Sequence, residues 1–209
     1  MKKRFITSVF VAIFLSGFVF AANPNPMALA KTIDNLKEAF KGESTASAKY
    51  AAYAKKAKQE GHNNIALLFE AASKSESIHA NNHKAALQEL GVKTDKVDPK
   101  FDVKSTKDNL QDAINGESYE VSTMYPEFLK TANDANVNIA TISFNYAFQT
   151  EKKHKELYKN ALNQLNNSNE NSLAKQYSVC TTCGNTYDGP APNRCGISMT
   201  PKDRFVTIK

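Results

Sequence analysis

The sequence predicts an all-α four-helix bundle followed by a small, mostly irregular or β domain that carries the cysteines. Three observations lead there. Apolar residues recur at helical period in four separate stripes between residues 28 and 165. Glu and His residues fall inside those stripes, where an uncompensated charge is costly. All three cysteines lie beyond residue 178, two of them as a CxxC pair.

Residues 1–22 read as an address rather than as part of the fold. Lys2, Lys3 and Arg4 form a basic start, and residues 5–20 are uncharged and mostly apolar. Ala21 and Ala22 then offer a small-residue cleavage site before Asn23 and Pro24. The apolar run is shorter than the ~20 residues a membrane span needs. A cleaved signal peptide is therefore expected over an uncleaved anchor. The mature protein is expected to be periplasmic, without stable membrane association. The same three basic residues supply half of the formal net charge of +6, and the remaining lysines are interspersed with Glu and Asp. That pattern is a solvated face and argues against a nucleic-acid partner.

The first stripe runs through Ile33, Leu36, Phe40, Ala54 and Ala57, and the second through Ile65, Leu68, Ala72, Ala86 and Leu90. The third carries Leu110, Ala113 and Met124, and the fourth Ala140, Phe144, Ala147, Tyr158, Ala161 and Leu165. Gly61 separates the first pair and residues 133–136 the second. A longer connection, residues 92–105 with Pro99, lies between the pairs. Two helical hairpins joined by a long crossover is the ferritin-like plan. The polar stretch 163–176 reads as a linker. These features divide the chain into a bundle over 28–165, a linker over 166–177 and a tail domain over 178–209.

The two halves of the bundle repeat one another. Gly42-Glu43-Ser44 recurs as Gly116-Glu117-Ser118, 74 residues on, and Glu76-x-x-His79 recurs as Glu151-x-x-His154, 75 residues on. Tyr50 and Tyr53 correspond to Tyr125 and Phe128, again at 75. Glu43, Glu76, His79, Glu117, Glu120, Glu151 and His154 all fall within the apolar stripes. A lone Glu-x-x-His is usually an exposed helix face, and a lone Glu in a stripe is usually a boundary residue. Four motifs on four stripes in duplicated order are not explained that way. Buried carboxylates are paired or bind metal, and five of them together would repel one another unless cations intervened. In Glu-x-x-His the two side chains share one helix face. Two such motifs plus a Glu from each other helix is the di-iron or di-manganese pattern of helical bundles, and a site without thiolate argues against copper(I).

The segment from residue 31 to about 165 resembles rubrerythrin. The resemblance rests on Ala39-Phe40-Lys41-Gly42-Glu43-Ser44, Glu76-x-x-His79, Gly116-Glu117-Ser118-Tyr119-Glu120, Thr123-Met124-Tyr125-Pro126-Glu127-Phe128 and Glu151-x-x-His154. It implies that the five glutamates and two histidines named above bind two irons, with manganese as the alternative. Glu120 has no counterpart in the first half, where the offset points to Ala46. It resembles the glutamate that exchanges with a histidine, here His79, as the iron changes oxidation state. Tyr50 and Tyr125 match tyrosines near the metals, with a role in proton supply or hydrogen bonding, or in plain packing. His83, one turn past His79, stands opposite Tyr158 in the duplicate and reads as a surface or packing residue. His62 reads as structural.

The tail carries Cys180-Thr-Thr-Cys183 and, eleven residues later, Cys195-Gly-Ile-Ser198. With Tyr187, Gly189, Pro192, Pro201 and Phe205 it resembles the rubredoxin-like domain that follows the bundle in rubrerythrins. That resemblance implies a mononuclear iron site, with zinc as the alternative. The family's four-cysteine set is broken here, because Ser198 occupies the fourth position. Serine oxygen or water could complete a three-thiolate site. In an oxidising compartment Cys180 and Cys183 could instead pair as a disulfide, leaving Cys195 free. The resemblance implies a peroxidase that reduces hydrogen peroxide to water, a homodimer, and electrons passed from an unidentified donor through the tail, between partner subunits. Ferroxidase or iron-handling activity, or a non-catalytic peroxide or iron sensor, are the alternatives.

Overall fold

A computed structural model describes residues 25–209, so the expected signal peptide at 1–22 lies outside the described residues. Helices α1 (Pro26–Gln59) and α2 (Asn63–Glu89) form the first hairpin. The Asn25 side chain caps α1 by accepting from the Met27 amide at 3.1 Å, and Pro26 sits where its missing N–H costs nothing. The crossover over residues 92–105 ends at Ser105, which caps α3 (Thr106–Tyr119) by accepting from the Asp108 amide at 3.2 Å. A π-helical segment, Glu120–Met124, joins α3 to α4 (Tyr125–Asp134), and α5 (Asn138–Asn166) closes the second hairpin. Among the described residues, no helix is long and apolar enough to cross a membrane.

The π segment accounts for the uneven repeat. Glu43 and Tyr50 are seven residues apart, whereas Glu117 and Tyr125 are eight apart. A one-residue insertion in an α-helix rotates everything after it by about 100° unless a wider turn absorbs the extra residue. The π turn between Glu117 and Tyr125 does this, so that both side chains still face inward.

Two apolar clusters fill the bundle. One gathers Tyr50, Phe69, Leu110 and Tyr158, and the other Leu36, Leu87, Phe128 and Phe144. Helices α1, α2 and α5 contribute to both clusters, α3 to the first and α4 to the second, and the inward Glu and His residues lie where the chain passes from one cluster to the other. The charged residues therefore form a belt across the middle of the bundle.

The tail is a three-stranded antiparallel sheet of order β2-β1-β3, with β1 Tyr177–Cys180, β2 Thr186–Asp188 and β3 Phe205–Ile208. Val179 pairs with Thr186 on one side and Val206 on the other. Tyr177 and Val179 pack in the same apolar cluster as Tyr50 and Phe69, so tail and bundle share a core. The stretch read as a linker is tethered rather than loose. Glu170 accepts from His62 Nδ1 at 2.9 Å, its carbonyl accepts from Asn64 at 3.1 Å, and Leu173 is buried. These anchors are polar side chains at the start of α2, which a composition reading of residues 163–176 does not register.

Candidate metal centre

Two sets of four buried side chains meet in the belt. Glu43, Glu76, His79 and Glu151 form one, and Glu76, Glu117, Glu151 and His154 the other; within each set the ligand atoms lie within 4.8 Å of one another. Glu76 and Glu151 belong to both. Glu76 directs Oε2 to His79 Nδ1 at 2.8 Å and Oε1 to His154 Nδ1 at 3.0 Å, and Glu151 does the same with Oε1 and Oε2, both at 2.8 Å. Glu43 faces His79 and Glu117 faces His154, each at 3.9 Å. The sequence duplication thus becomes a near-twofold arrangement, with two shared carboxylates between two terminal Glu/His pairs.

The donor set fits a pair of hard cations. Eight buried atoms of this belt lack a hydrogen-bond partner: Glu43 Oε2, both oxygens of Glu76 and of Glu151, Glu117 Oε2, and Nδ1 of His79 and His154. So many convergent orphans in one place are the signature of a bound ion rather than of a polar network. The electrostatics agree. Burial, aided by the charges of Glu151 and Glu76, pushes Glu43 up to about 7, and burial with neighbouring carboxylates holds Glu117 and Glu120 well above the usual range. Burial opposes charge on the imidazoles, but Glu76 and Glu151 outweigh it and raise His154 to about 9. Protons do in part what cations would do better.

The far nitrogen of each imidazole is held by the tail. His79 Nε2 lies 3.0 Å from the Cys183 carbonyl, which can only accept. His154 Nε2 lies 2.9 Å from Thr186 Oγ1, whose own proton goes to the Gly184 carbonyl at 3.2 Å. Both contacts place the N–H on Nε2, so that a neutral imidazole offers the Nδ1 lone pair to the belt. Ser75 Oγ also donates to the Gly184 carbonyl, at 2.7 Å. Gly184 has φ +78°, and a Cβ there would collide with His79 and stand 2.7 Å from Ser75 Oγ. Only glycine permits this approach.

Each half's tyrosine serves the other half's glutamate. Tyr50 donates to Glu117 at 2.8 Å, and Tyr125 donates to Glu43. Glu120, at the start of the π segment, is half-buried and belongs to neither four-residue set, although it lies close enough to Glu43, Glu151 and Glu76 to feel their charges. His83 is fully buried rather than at the surface, and it bonds to Tyr125 and Ser143.

In the tail, Cys180, Cys183 and Cys195 are free, fully buried and clustered. Cys183 and Cys195 sulfurs are 3.4 Å apart, and Ser198 Oγ lies 3.3 Å from Cys180 Sγ. The Ser198 hydroxyl also bonds to Thr200 Oγ1 at 2.8 Å, and it favours the thiolate forms of Cys183 and Cys195. Hydrogen bonds from Cys183, Ser198 and Thr200 prevail over burial and lower Cys180 to about 4. Three thiols, with Cys180 and Cys195 both shifted toward thiolate, fit a metal.

A crossed helical bundle with shared and terminal carboxylates, joined to a cysteine-bearing sheet, defines a ferritin-like protein with a rubredoxin-like tail. A family model described as Rubrerythrin matches residues 34–162. Rubrerythrin-2 of Clostridium acetobutylicum is 36% identical over 177 residues, covering 84% of this chain and 96% of the relative. Nigerythrin of Nitratidesulfovibrio vulgaris is 35% identical over 180 residues, covering 86% and 87%. A solved structure of nigerythrin in its fully reduced, all-ferrous state superposes with a TM-score of 0.74 at 35% identity, covering 84% of this chain and 86% of that one. A bacterioferritin from Desulfovibrio desulfuricans, at 19% identity and TM-score 0.63, shares the fold. The chain belongs to the rubrerythrin family, a family of di-iron proteins of oxidative-stress defence.

Proposed function

We propose that the protein is an exported peroxidase that reduces hydrogen peroxide to water at two irons in the bundle, with electrons relayed through the tail. The observation that carries this reading is the belt of orphaned Glu and His atoms whose two histidines, His79 and His154, are both bonded through their far nitrogens to the cysteine tail. Two ferrous ions, when bound, would supply the two electrons that cleave the O–O bond. Glu76 and Glu151 would hold the ions side by side, while Glu43 with His79 and Glu117 with His154 would hold the outer positions. Glu120 stands in reserve as a further carboxylate that could take the place of His79. Tyr50 and Tyr125 donate hydrogen bonds to the outer glutamates, Glu117 and Glu43. The all-ferrous state described for nigerythrin supports iron over manganese.

The contact of Cys183 with His79 supports electron transfer within one chain, so the relay does not require the partner subunit of the proposed homodimer. Export rests on residues 1–22, and a native mature protein beginning within a few residues of Ala22 by mass would bear it out. Ser198 favours a second reading, iron handling without turnover, if a three-thiolate site cannot carry electrons. Anaerobic assays of the iron-loaded mature protein separate the two. A peroxidase consumes peroxide continuously with a reductant, a store accumulates many irons per chain, and a sensor does neither.

A further inference from the structure

His83 has no part in holding metal, yet it is wholly buried and fully hydrogen-bonded. Its Nε2 lies 3.2 Å from the Tyr125 hydroxyl and its Nδ1 lies 2.7 Å from Ser143 Oγ. The donors can be assigned by elimination. Tyr125 has one hydroxyl proton, and it goes to Glu43. The Tyr125 oxygen must therefore accept from His83 Nε2–H. A neutral imidazole then has its lone pair on Nδ1, which accepts from the Ser143 hydroxyl. All three hydrogen bonds thus point the same way, from Ser143 through His83 and Tyr125 to Glu43. Burial holds the His83 imidazole down at about 3, in keeping with a neutral ring. Ser143 is the outer end, with 4% of its surface exposed while His83 has none.

We propose that Ser143 and His83 form a proton wire that feeds the metal centre through Tyr125 and Glu43. The inference rests on the peroxidase reading, since each peroxide reduced to two waters consumes two protons as well as two electrons. In one pass, a proton from solvent replaces the one that Ser143 gives to His83 Nδ1. His83 gives its Nε2 proton to the Tyr125 oxygen, and Tyr125 gives its own to Glu43. One proton enters, one is delivered, and no link has to remain charged. His83 is left in the other tautomer, and reorientation of the ring and hydroxyls resets the wire. The second half of the bundle has no such path, because Tyr158 stands in the matching place and its hydroxyl has no hydrogen-bond partner.

The test uses the iron-loaded full mature chain with His83→Gln and Ser143→Ala. Glutamine can span the same two partners but cannot exchange protons between two ring nitrogens. His83→Gln should keep the iron content and KM of the parent, lose about tenfold or more in kcat, and show a larger solvent deuterium isotope effect. Ser143→Ala should fall between the two. Nitrogen NMR of the zinc-loaded parent, a diamagnetic stand-in, should find His83 protonated on Nε2 and bare on Nδ1. The wire is overturned if His83→Gln turns over at the parental rate and isotope effect, or if His83 carries its proton on Nδ1. Should His83→Gln fail to fold, Ser143→Ala and the NMR measurement decide alone. A parent that reduces no peroxide sinks the peroxidase reading, and the wire's function with it, whereas a working parent with an unaffected variant sinks only the wire.

Discussion

At the scale of single residues, the metal centre is a balance between carboxylates that repel and imidazoles that are held by their far nitrogens. Removing metal leaves that balance to protons, which gives stability a definite pH dependence. Glu43, raised to about 7 from an ordinary 4.5, contributes fully below 4.5, and its contribution is lost as pH rises through 7. His154, raised to about 9 from 6.5, contributes fully below 6.5 and loses its contribution as pH passes 9. Both act in the same direction, so thermal melts of the metal-free protein should show Tm falling from about pH 5 to about pH 9. A rising Tm would contradict this. At about pH 8 the metal-free Glu43→Gln variant should exceed the parent in stability by on the order of 2 kcal/mol, because the amide cannot ionise. Metal content discriminates among the carboxylates. Glu76→Ala, which damages both sets, should lose both irons, while Glu117→Ala should lose mainly the one beside His154; metal analysis checks each. The six residues that meet in the two sets were legible as charges on apolar stripes, and so was Glu120, which stands beside them. His83 was not, because what makes it more than a packing residue is Ser143 and Tyr125, which come from other helices.

At the scale of elements, the four helices were visible because their stripes are long and regular, and the repeat offset already contained the π segment. The shift from 74 to 75 between Glu117 and Tyr125 marks the inserted residue, although sequence alone does not say whether a helix absorbs it or breaks. The seating of the tail on α2 and α5 was not legible. Its key acceptors are the backbone carbonyls of Cys183 and Gly184, which leave no trace in residue type. Gly184 is the exception, and its φ of +78° against His79 gives the seat a single point of failure. Gly184→Ala adds left-handed backbone strain of about 1–3 kcal/mol to a collision. The tail of this variant should become sensitive to limited proteolysis. Bundle iron beside Glu117 and His154 should be retained, iron beside His79 should fall, and reductant-driven turnover should drop by about tenfold or more. A variant with a protected tail and parental turnover would show that the seat is not needed for the relay.

At the scale of the whole molecule, the proposed function has one chain join a site for single electrons to a site that needs two. A shared apolar core and the His79–Cys183 contact keep them together. The departure at Ser198 bears on how well the pair works. An oxygen in place of a soft thiolate favours the ferric state and lowers the reduction potential. Ser198→Cys should therefore raise the potential of the tail iron and move its visible charge-transfer bands toward those of a four-sulfur site. Equal potentials and unchanged spectra would mean that Ser198 is not a ligand. The central claim, that the bundle holds two irons that spend their electrons on peroxide, is tested most directly by titrating the anaerobic, fully reduced mature protein with hydrogen peroxide while following the bundle's absorption. The account predicts two irons in the bundle, and two electrons drawn from the bundle and tail irons together by one equivalent of peroxide, without release of oxygen. A bundle that holds fewer than two irons, or a diferrous bundle that one equivalent of peroxide leaves reduced, would contradict it.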